Sequence, residues 1–261
     1  MSTSVAPPPA APAEQPQPVG PEAFAAVLAE SIEQRRGGTV TWFNHYSGLR
    51  ALQAGVPVDR FDYLGLDGVF LCHLVRTEGC RTSADLVMPL LLERTQGLRI
   101  ALIGSRSGTL SAVAEKITAE YGHQVVLVRD GYDELPEPAE LRRQLGAARV
   151  QLAVVGLGAP KQDFYVLDAA TPGVLVTTCG GWLDQFTAEA YYPAWAYPLR
   201  LNWLVRLARE PRRLWRRYTV DAARALRARA ALTEYVTVRG RRPLDAAERP
   251  TGSASADAPA A

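Results

Sequence analysis

Apolar and polar residues alternate along the middle of the chain with two periods, one typical of helices and one of buried strands. Amphipathic patterns predict helices over residues 21–34, 45–54, 68–78, 83–95, 109–121, 137–147 and 160–170. Short apolar runs predict strands over residues 40–43, 98–103, 124–128, 150–155 and 173–178. Strands that alternate with helices are typical of parallel sheets, because parallel strands need a crossover connection. We therefore predict an α/β fold, a Rossmann-like, mostly parallel sheet with helices on both faces.

Composition divides the chain into four parts. Residues 1–20 are rich in Pro and Ala, residues 236–261 are similarly biased, and both segments are predicted to be disordered tails. Residues 21–195 form the predicted α/β catalytic domain, and residues 196–235 form a basic, Arg-rich helical appendage. No run approaches the roughly 20 apolar residues that span a bilayer, and no signal-peptide pattern begins the chain. We therefore expect a protein that stays in the cytoplasm, and a position on the surface of a membrane is left open.

The cysteines and histidines do not follow a metal-binding pattern. Three cysteines and three histidines are scattered along the chain without ligand spacing. The cysteines are therefore expected to be reduced thiols, and we predict no metal site and no bound cofactor.

Three glycine-bearing polar loops follow predicted strands, at residues 104–108, 129–132 and 156–162. Ligands of parallel sheets bind beyond the carboxyl ends of the strands, so these loops together favour a nucleotide-linked substrate. Neither the dinucleotide-binding glycine pattern nor the P-loop pattern is present, which argues against an ordinary NAD-dependent oxidoreductase or an NTPase.

The loop at 156–162 carries the strongest local signal. A buried strand stops at Gly156 and Gly158, and Pro160 is predicted to occupy the first helical position. The free backbone N–H groups of such a turn attract an anion. Lys161 adds a charge suited to a phosphate, and Gln162 adds an amide that can contact a sugar or a base. The alternative is an ordinary strand-to-helix turn.

Asp67 and Arg81 are the main candidates for chemistry outside the loops. Asp67 precedes Gly68 among apolar residues, where desolvation makes a carboxylate a better base. Its alternative role is to cap the helix that begins near Val69. Arg81 either binds a phosphate bidentately or lies on the surface as a solvated side chain.

Arginines are concentrated between residues 199 and 230. Ten arginines face two acidic residues there, a net charge of +8, and Trp and Tyr are interleaved with them. Pro211 divides the segment into two predicted helices. Basic amphipathic helices with interfacial aromatics suit an anionic membrane surface, but nucleic-acid phosphates and a solvated helix face remain alternatives.

These residues together resemble the WecG/TagA/CpsF glycosyltransferases of bacterial surface-polysaccharide biosynthesis. The resemblance covers roughly residues 39–220. It rests on these pieces, which occur in family order: Thr41-Trp42-Phe43-Asn44, Asp67-Gly68, Arg81 ahead of Asp85-Leu86, Ile103-Gly104, Gly131-Tyr132, GLGAPKQDFY (156–165) and WLVRLAREPRRLWRRY (203–218).

The resemblance implies an inverting transfer, without a metal, from a UDP-sugar to a lipid-diphosphate-linked saccharide. The sugar would be N-acetylmannosamine, its uronate or glucuronate, and an undecaprenyl-diphosphate saccharide would accept it at an anionic membrane surface. It implies Asp67 as general base, Thr41 and Asn44 as residues that position the sugars, and Arg81 and Gln162 as contacts of the donor diphosphate and sugar. The remaining implied contacts are Gly104, Ser105, Arg106, Gly131 and Tyr132 for the nucleotide, Gly158 and Lys161 at the phosphates, and Arg206, Arg212 and Arg213 in the appendage.

The chain departs from the family pattern at two places. It has Tyr192 and Asn202 where the family carries a basic residue and a carboxylate. Two alternatives therefore stay open: a catalytically altered nucleotide-binding module, and a nucleic-acid-binding protein that uses the Arg-rich helices. The resemblance favours a membrane over nucleic acid as the partner, and an apolar face on the appendage leaves a homo-oligomer open.

Overall fold

The sheet has the predicted architecture. A computed structural model describes residues 20–76, 81–133, 135–187, 202–209 and 211–237. The strands within these ranges form one six-stranded sheet in the order β2-β1-β6-β5-β3-β4, and every neighbouring pair is parallel. The strands are β1 (Gly38–Phe43), β2 (Tyr63–Leu66), β3 (Arg99–Gly104), β4 (Gln124–Arg129), β5 (Leu152–Gly156) and β6 (Leu175–Thr178). The prediction of a Rossmann-like α/β fold is confirmed.

Helices connect the strands and extend beyond the last one. Within the α/β part they are α1 (Pro21–Glu33), α2 (His45–Ala54), α3 (Val69–Val75), α4 (Ala84–Arg94), α5 (Ser107–Tyr121), α6 (Pro138–Ala147), α7 (Lys161–Asp168) and α8 (Trp182–Phe186). Near the C-terminus they are α9 (Asn202–Arg209), α10 (Pro211–Arg216), a π-helical turn (Arg217–Asp221), α11 (Ala222–Arg227) and α12 (Arg229–Thr237).

The helices cover both faces of the sheet, and the strands alternate between them. Ile100 and Leu102 of β3 pack with α1, α4, α5 and α8, whereas Ala101 and Ile103 pack with α2, α3, α6 and α7. Successive side chains of a strand point to opposite faces, so a strand covered on both faces is apolar throughout. This is why the apolar runs of β3 and β5 were readable in the sequence.

The structure differs from the predicted elements at several ends. The helix predicted over 68–78 is shorter, because Arg76 adopts φ 51° directly after α3. Pro160 is the residue before α7 and not its first helical residue. β2 was not predicted as a full strand and α8 was not predicted, since both are short and their apolar periods are too brief to recognise.

The C-terminal helices belong in part to the core. Ala225, Leu232, Tyr235 and Val236 are buried in the same apolar cluster as Phe43 of β1. The Tyr235 ring stacks on the Phe43 ring at 6.0 Å, and its hydroxyl donates to the Val56 carbonyl at 2.7 Å. The predicted appendage thus contains a part, α11 and α12, that is packed like the rest of the domain.

Some predictions lie outside the described residues. The predicted tails fall there except for Gly20, Val236 and Thr237, and the last two of these extend α12 past the predicted boundary. Tyr192 lies outside the description, as do the side chains of Asn202, Arg206 and Arg213. None of the described helices is both long enough and apolar enough to cross a membrane.

Candidate active site

One cleft of about 1040 Å³ lies along the carboxyl edge of the sheet. Its volume is in the range of small-ligand sites. The chain leaves β3 toward one edge of the sheet and β5 toward the other, so the loops after these neighbouring strands diverge and open a crevice. The loops at 104–108, 129–132 and 156–162 all contribute to its lining, as the sequence predicted.

Two glycines, Gly104 and Gly131, permit the close approach of these loops. A Cβ on Gly104 would lie 2.3 Å from the Gly156 carbonyl oxygen, and φ of Gly104 is 95°, a value that other residues rarely adopt. A Cβ on Gly131 would lie 2.8 Å from the Gly104 Cα. The Ser105 N–H donates to the Gly156 carbonyl at 3.1 Å, which fixes the first loop on the third. Backbone therefore forms this wall of the cleft.

Asp130 organises the nucleotide-side loops, and the sequence analysis missed it. Its carboxylate accepts hydrogen bonds from the backbone N–H groups of Tyr132, Asp133 and Ser107 and from the Ser107 hydroxyl, at 2.7 to 3.1 Å. The Tyr132 N–H above all, and then the Ser107 hydroxyl, lower the pKa of Asp130 to about 2. The carboxylate thus fixes the start of α5 to the turn at 130–133. The Asp-Gly pair at 130–131 was the available sequence signal.

An exposed aromatic ring lies beside this wall. Tyr132 is 72% exposed, and the Arg106 guanidinium lies 5.8 Å from its ring centroid. Ser105 lies deeper, and its hydroxyl donates to Asp184 of α8 at 3.1 Å. The predicted nucleotide contacts Gly104, Ser105, Arg106, Gly131 and Tyr132 are therefore neighbours in space.

The start of α7 differs from the predicted anion site in one respect. Gln162 is buried, and its amide oxygen accepts the Gly158 N–H at 3.1 Å. That N–H is therefore occupied within the protein and does not point at an empty site. Lys161 is exposed on the cleft wall beside it. Gln162 holds the glycine turn closed, while Lys161 carries the charge.

Asp67 follows β2 and lines the same cleft as Gln162. Its N–H donates to the Phe43 carbonyl at 2.7 Å, and its Oδ2 accepts from Asn44 Nδ2 at 3.3 Å. Gly68, not Asp67, is the residue before α3, and no side chain caps that helix. Asp67 therefore does not cap α3, and this alternative is excluded.

Asn44 has two roles at the end of β1. Its Oδ1 accepts from the N–H groups of Tyr46 and Ser47 at 3.0 Å and so caps α2, while its Nδ2 faces Asp67. A side chain already held by two backbone bonds loses little rotamer freedom when it contacts Asp67. Asn44 therefore gives the Asp67 carboxylate a defined orientation.

Arg81 lies against two carboxylates. Its Nη2 donates to both oxygens of Asp85, at 2.6 and 2.5 Å, and its Nε lies 3.7 Å from Asp67 Oδ1. All three side chains line the cleft and are partly buried. The alternative of a freely solvated arginine is thereby excluded.

Thr41 is completely buried. Its hydroxyl donates to Asp163 Oδ1 at 2.7 Å and accepts from the Thr178 hydroxyl at 3.2 Å. Desolvation raises the pKa of Asp163 to about 6, although the Thr41 hydrogen bond opposes this shift. Thr41 thus ties β1 to α7 beneath the cleft, and its predicted contact with a sugar stays a prediction.

The end of α10 and the π-helical turn form the remaining wall. Arg216, Arg217 and Asp221 line the cleft there, and Arg212 is exposed beyond it. Two guanidinium groups, of Arg50 and Arg217, lie 5.5 and 5.1 Å from the Tyr46 ring centroid. Tyr46 and Arg50 both lie on α2, so the Arg217 contact is the one of the two that joins the C-terminal segment to α2.

His45 forms a further contact between α2 and this segment. Its Nε2 lies 3.0 Å from the Arg217 carbonyl oxygen, and its ring meets Phe70 and Tyr218 edge-on or tilted. Burial lowers the pKa of His45. His45 is thus an interface histidine.

Charge in the cleft is mixed. Six cationic and four acidic side chains line its described part; the cations are Arg50, Arg81, Arg106, Lys161, Arg216 and Arg217, and the acids are Asp67, Asp85, Asp184 and Asp221. Among the described residues, no group of three or more His, Cys, Asp or Glu side chains is arranged to hold a metal ion. The cleft therefore combines a carboxylate, a backbone-lined rim and an excess of positive charge.

A comparison with family models agrees with this arrangement. Residues 17–237 match the model described as the glycosyl transferase WecG/TagA/CpsF family. The match includes all the cleft residues named above and most of the 261-residue chain. The chain therefore belongs to the WecG/TagA/CpsF family of glycosyltransferases, which act in the biosynthesis of cell-surface polysaccharides.

Proposed function

We propose that the protein transfers a sugar from a UDP-sugar to a saccharide linked to a polyprenyl diphosphate, with inversion and without a metal. The observation that carries this proposal is that Asp67 shares one cleft with Lys161 and with the glycine rim, by which we mean the backbone of the loops at 104–108, 129–132 and 156–162. A transfer of this kind needs a base for the acceptor and positive charge for the leaving group, and these lie on two walls of one site.

Asp67 is the base in this proposal. It takes the proton of the acceptor hydroxyl as that oxygen forms a bond to the anomeric carbon of the donor sugar. The bond between that carbon and the diphosphate oxygen breaks, and UDP leaves with the electron pair. A single displacement of this type inverts the anomeric configuration.

The donor lies against the glycine rim. An added Cβ at Gly158 would point into open space, so a diphosphate can approach the backbone there, and Arg106 and Lys161 supply charge for its oxygens. The exposed Tyr132 ring offers a face on which a uracil can stack. Thr41 and Gln162 act from beneath, by holding β1 and α7 in register with this wall.

The acceptor enters from the side of the C-terminal helices. Arg212 and Trp215 of α10 are exposed there, Trp215 by 51%, and Arg216 reaches the cleft lining. Basic and aromatic side chains of this kind suit an anionic membrane surface, from which a lipid-linked acceptor extends its saccharide. We therefore propose a peripheral position on the inner face of the membrane.

The test compares the intact chain with Asp67→Asn, using UDP-sugars of the N-acetylmannosamine, uronate and glucuronate types and a lipid-diphosphate acceptor. Removal of a general base lowers turnover by about 10² to 10⁴-fold, while the amide keeps the shape of the site. We expect this loss of kcat with UDP affinity, measured by calorimetry, within about twofold of the parent. Asp59→Asn, an exposed carboxylate outside the cleft, is the matched control.

Equal turnover of the parent and Asp67→Asn would remove Asp67 from the mechanism. UDP binding by a parent that transfers no sugar from any of the three donor types would favour the alternative of a catalytically altered nucleotide-binding module.

A further inference from the structure

Asp85 holds the arginine that lies next to the proposed base. Arg81 Nη2 donates to both Asp85 oxygens, whereas Arg81 Nε lies 3.7 Å from Asp67 Oδ1. An arginine that is free to turn pairs with a carboxylate through two parallel N–H groups. Arg81 and Asp67 are not arranged in this way, because the Nη2 group of Arg81 is bound to Asp85.

The segment that carries Arg81 is fixed to the end of β2. The Leu66 N–H donates to the Thr82 hydroxyl at 3.0 Å, and the Thr82 N–H donates to the Leu66 carbonyl at 3.0 Å. The Ser83 hydroxyl donates to Asp85 Oδ1. Since Asp67 directly follows Leu66, the backbone sets the distance between Arg81 and Asp67. What remains adjustable is the direction of the guanidinium, and Asp85 sets it.

We infer that Asp85 is a positioning residue for the transfer: by binding the Arg81 fork, it prevents a two-point ion pair between Arg81 and Asp67. This inference rests on the proposed function, with Asp67 as the base. A carboxylate held by a full arginine pair accepts a proton less readily, because the pair stabilises its charged form. Arg81 shared between two carboxylates orients Asp67 without closing a two-point pair on it. Its charge is then directed to the base, and Arg106 and Lys161 meet the donor diphosphate.

A purely structural role for Asp85 makes different predictions. Asp85 lies in the first turn of α4, where an acidic residue stabilises a helix through the helix dipole. Loss of that role lowers the melting temperature but leaves the pH dependence of turnover unchanged. The pH profile therefore separates the two roles.

The experiment uses Asp85→Asn in the full chain, with Glu120→Gln as the matched control. Glu120 also pairs with a cation one helical turn away, Lys116, but on α5 and outside the cleft. We expect Asp85→Asn to lower kcat by between about tenfold and a hundredfold, the range of a small misplacement of a reacting group. The donor KM is expected to stay within about twofold, and the acid limb of the kcat profile to move to lower pH. Glu120→Gln is expected to match the parent in kcat, in donor KM and in the position of the acid limb.

A double variant shows whether Asp85 acts through Arg81. If it does, adding Asp85→Asn to Arg81→Gln causes no further loss of kcat, because the intermediary is already absent. Losses that multiply in the double variant would overturn the inference. So would a kcat of Asp85→Asn within twofold of the parent with an unmoved acid limb.

Two further variants keep the outcomes distinct. Ser83→Ala keeps every charge and removes one bond to Asp85, so a smaller shift of the acid limb in the same direction is expected even where Asp85→Asn fails to fold. An unshifted profile in Ser83→Ala would then reject the role of Asp85. Asp67→Asn, assayed in parallel, tests the proposed base itself. If Asp67→Asn is inactive and Asp85→Asn is normal, only the role of Asp85 fails.

Discussion

Asp163 provides a measurable link between the buried network and the pH dependence of stability. The side chain is completely buried, its Oδ1 accepts from Thr41, and its Oδ2 has no hydrogen-bond partner among the described residues. Desolvation raises its pKa from 3.8 to about 6. The folded protein therefore holds this proton more tightly than the unfolded chain does.

The sign and size of the effect follow from that difference. A carboxyl group with a raised pKa stabilises the fold while it is protonated, and this contribution is lost as pH rises from about 4 to about 6. With pKa values of 3.8 and about 6, the free energy of unfolding falls by about 2 kcal/mol between pH 4.5 and pH 7.5 on account of Asp163. The pKa of Asp130 is lowered to about 2, so its contribution is lost below about pH 4 and lies outside this range.

The variant Asp163→Asn removes the titration and keeps an oxygen that accepts the Thr41 hydroxyl. Chemical unfolding at pH 4.5 and 7.5 gives the change in the free energy of unfolding between these two pH values for the parent and for the variant. The two changes are then compared. Between pH 4.5 and 7.5, the free energy of unfolding of the variant is expected to fall by about 2 kcal/mol less than that of the parent. Asp168→Asn, an exposed carboxylate on the same helix, is the control and is expected to leave the parent's pH dependence intact.

Parallel pH dependences for the parent and Asp163→Asn would refute this reasoning. That result would mean that Asp163 titrates alike in the folded and the unfolded chain. A difference in the free energy of unfolding between variant and parent that is the same at both pH values would not support the reasoning either. Such a constant difference reports how well the amide packs and not the buried charge.

Two further predictions concern the glycine rim and the C-terminal helices. Gly104→Ala places a methyl group against the Gly156 carbonyl, so thermal unfolding and UDP calorimetry are expected to show lower stability, by about 1 to 3 kcal/mol, and weaker binding. Gly146→Ala, in an open helical position, is the control, expected to be neutral or stabilising by about 1 kcal/mol, and equal effects would remove the steric argument. Arg212→Glu is expected to weaken sedimentation with anionic vesicles by fivefold or more, from about 1 kcal/mol per basic residue, while the same change at Arg143 on α6 has little effect. Tighter salt-dependent binding to duplex DNA than to vesicles would instead favour nucleic acid as the partner.

The features of this protein that could be predicted from the sequence are those that depend on the pattern of neighbouring residues. The strands β3 and β5 are apolar throughout because both faces of the sheet are covered, and this pattern needs no knowledge of the partners. Parallel crossovers then bring the loops at 104–108, 129–132 and 156–162 to one edge. The location of the cleft was therefore predictable, and so was the presence of Asp67 and Gln162 in it.

The hydrogen-bond partners of polar side chains could not be predicted from the sequence in the same way. No sequence pattern indicated that the Thr41 hydroxyl bonds to Asp163, 122 positions further along the chain. A side chain carries its donors and acceptors in its sequence, whereas its partner depends on which strands become neighbours.

The sequence by itself determined most of the strands and helices, the parallel sheet and the edge at which the cleft lies, because hydrophobic periodicity and crossover geometry act over a few residues at a time. The tertiary structure alone decided that Arg81 lies beside Asp67, that Asp130 reaches Ser107 at the start of α5, and that α12 packs on β1 as part of the core. These contacts join residues whose distance in space is fixed only after the sheet has formed, so no local pattern in the chain encodes them.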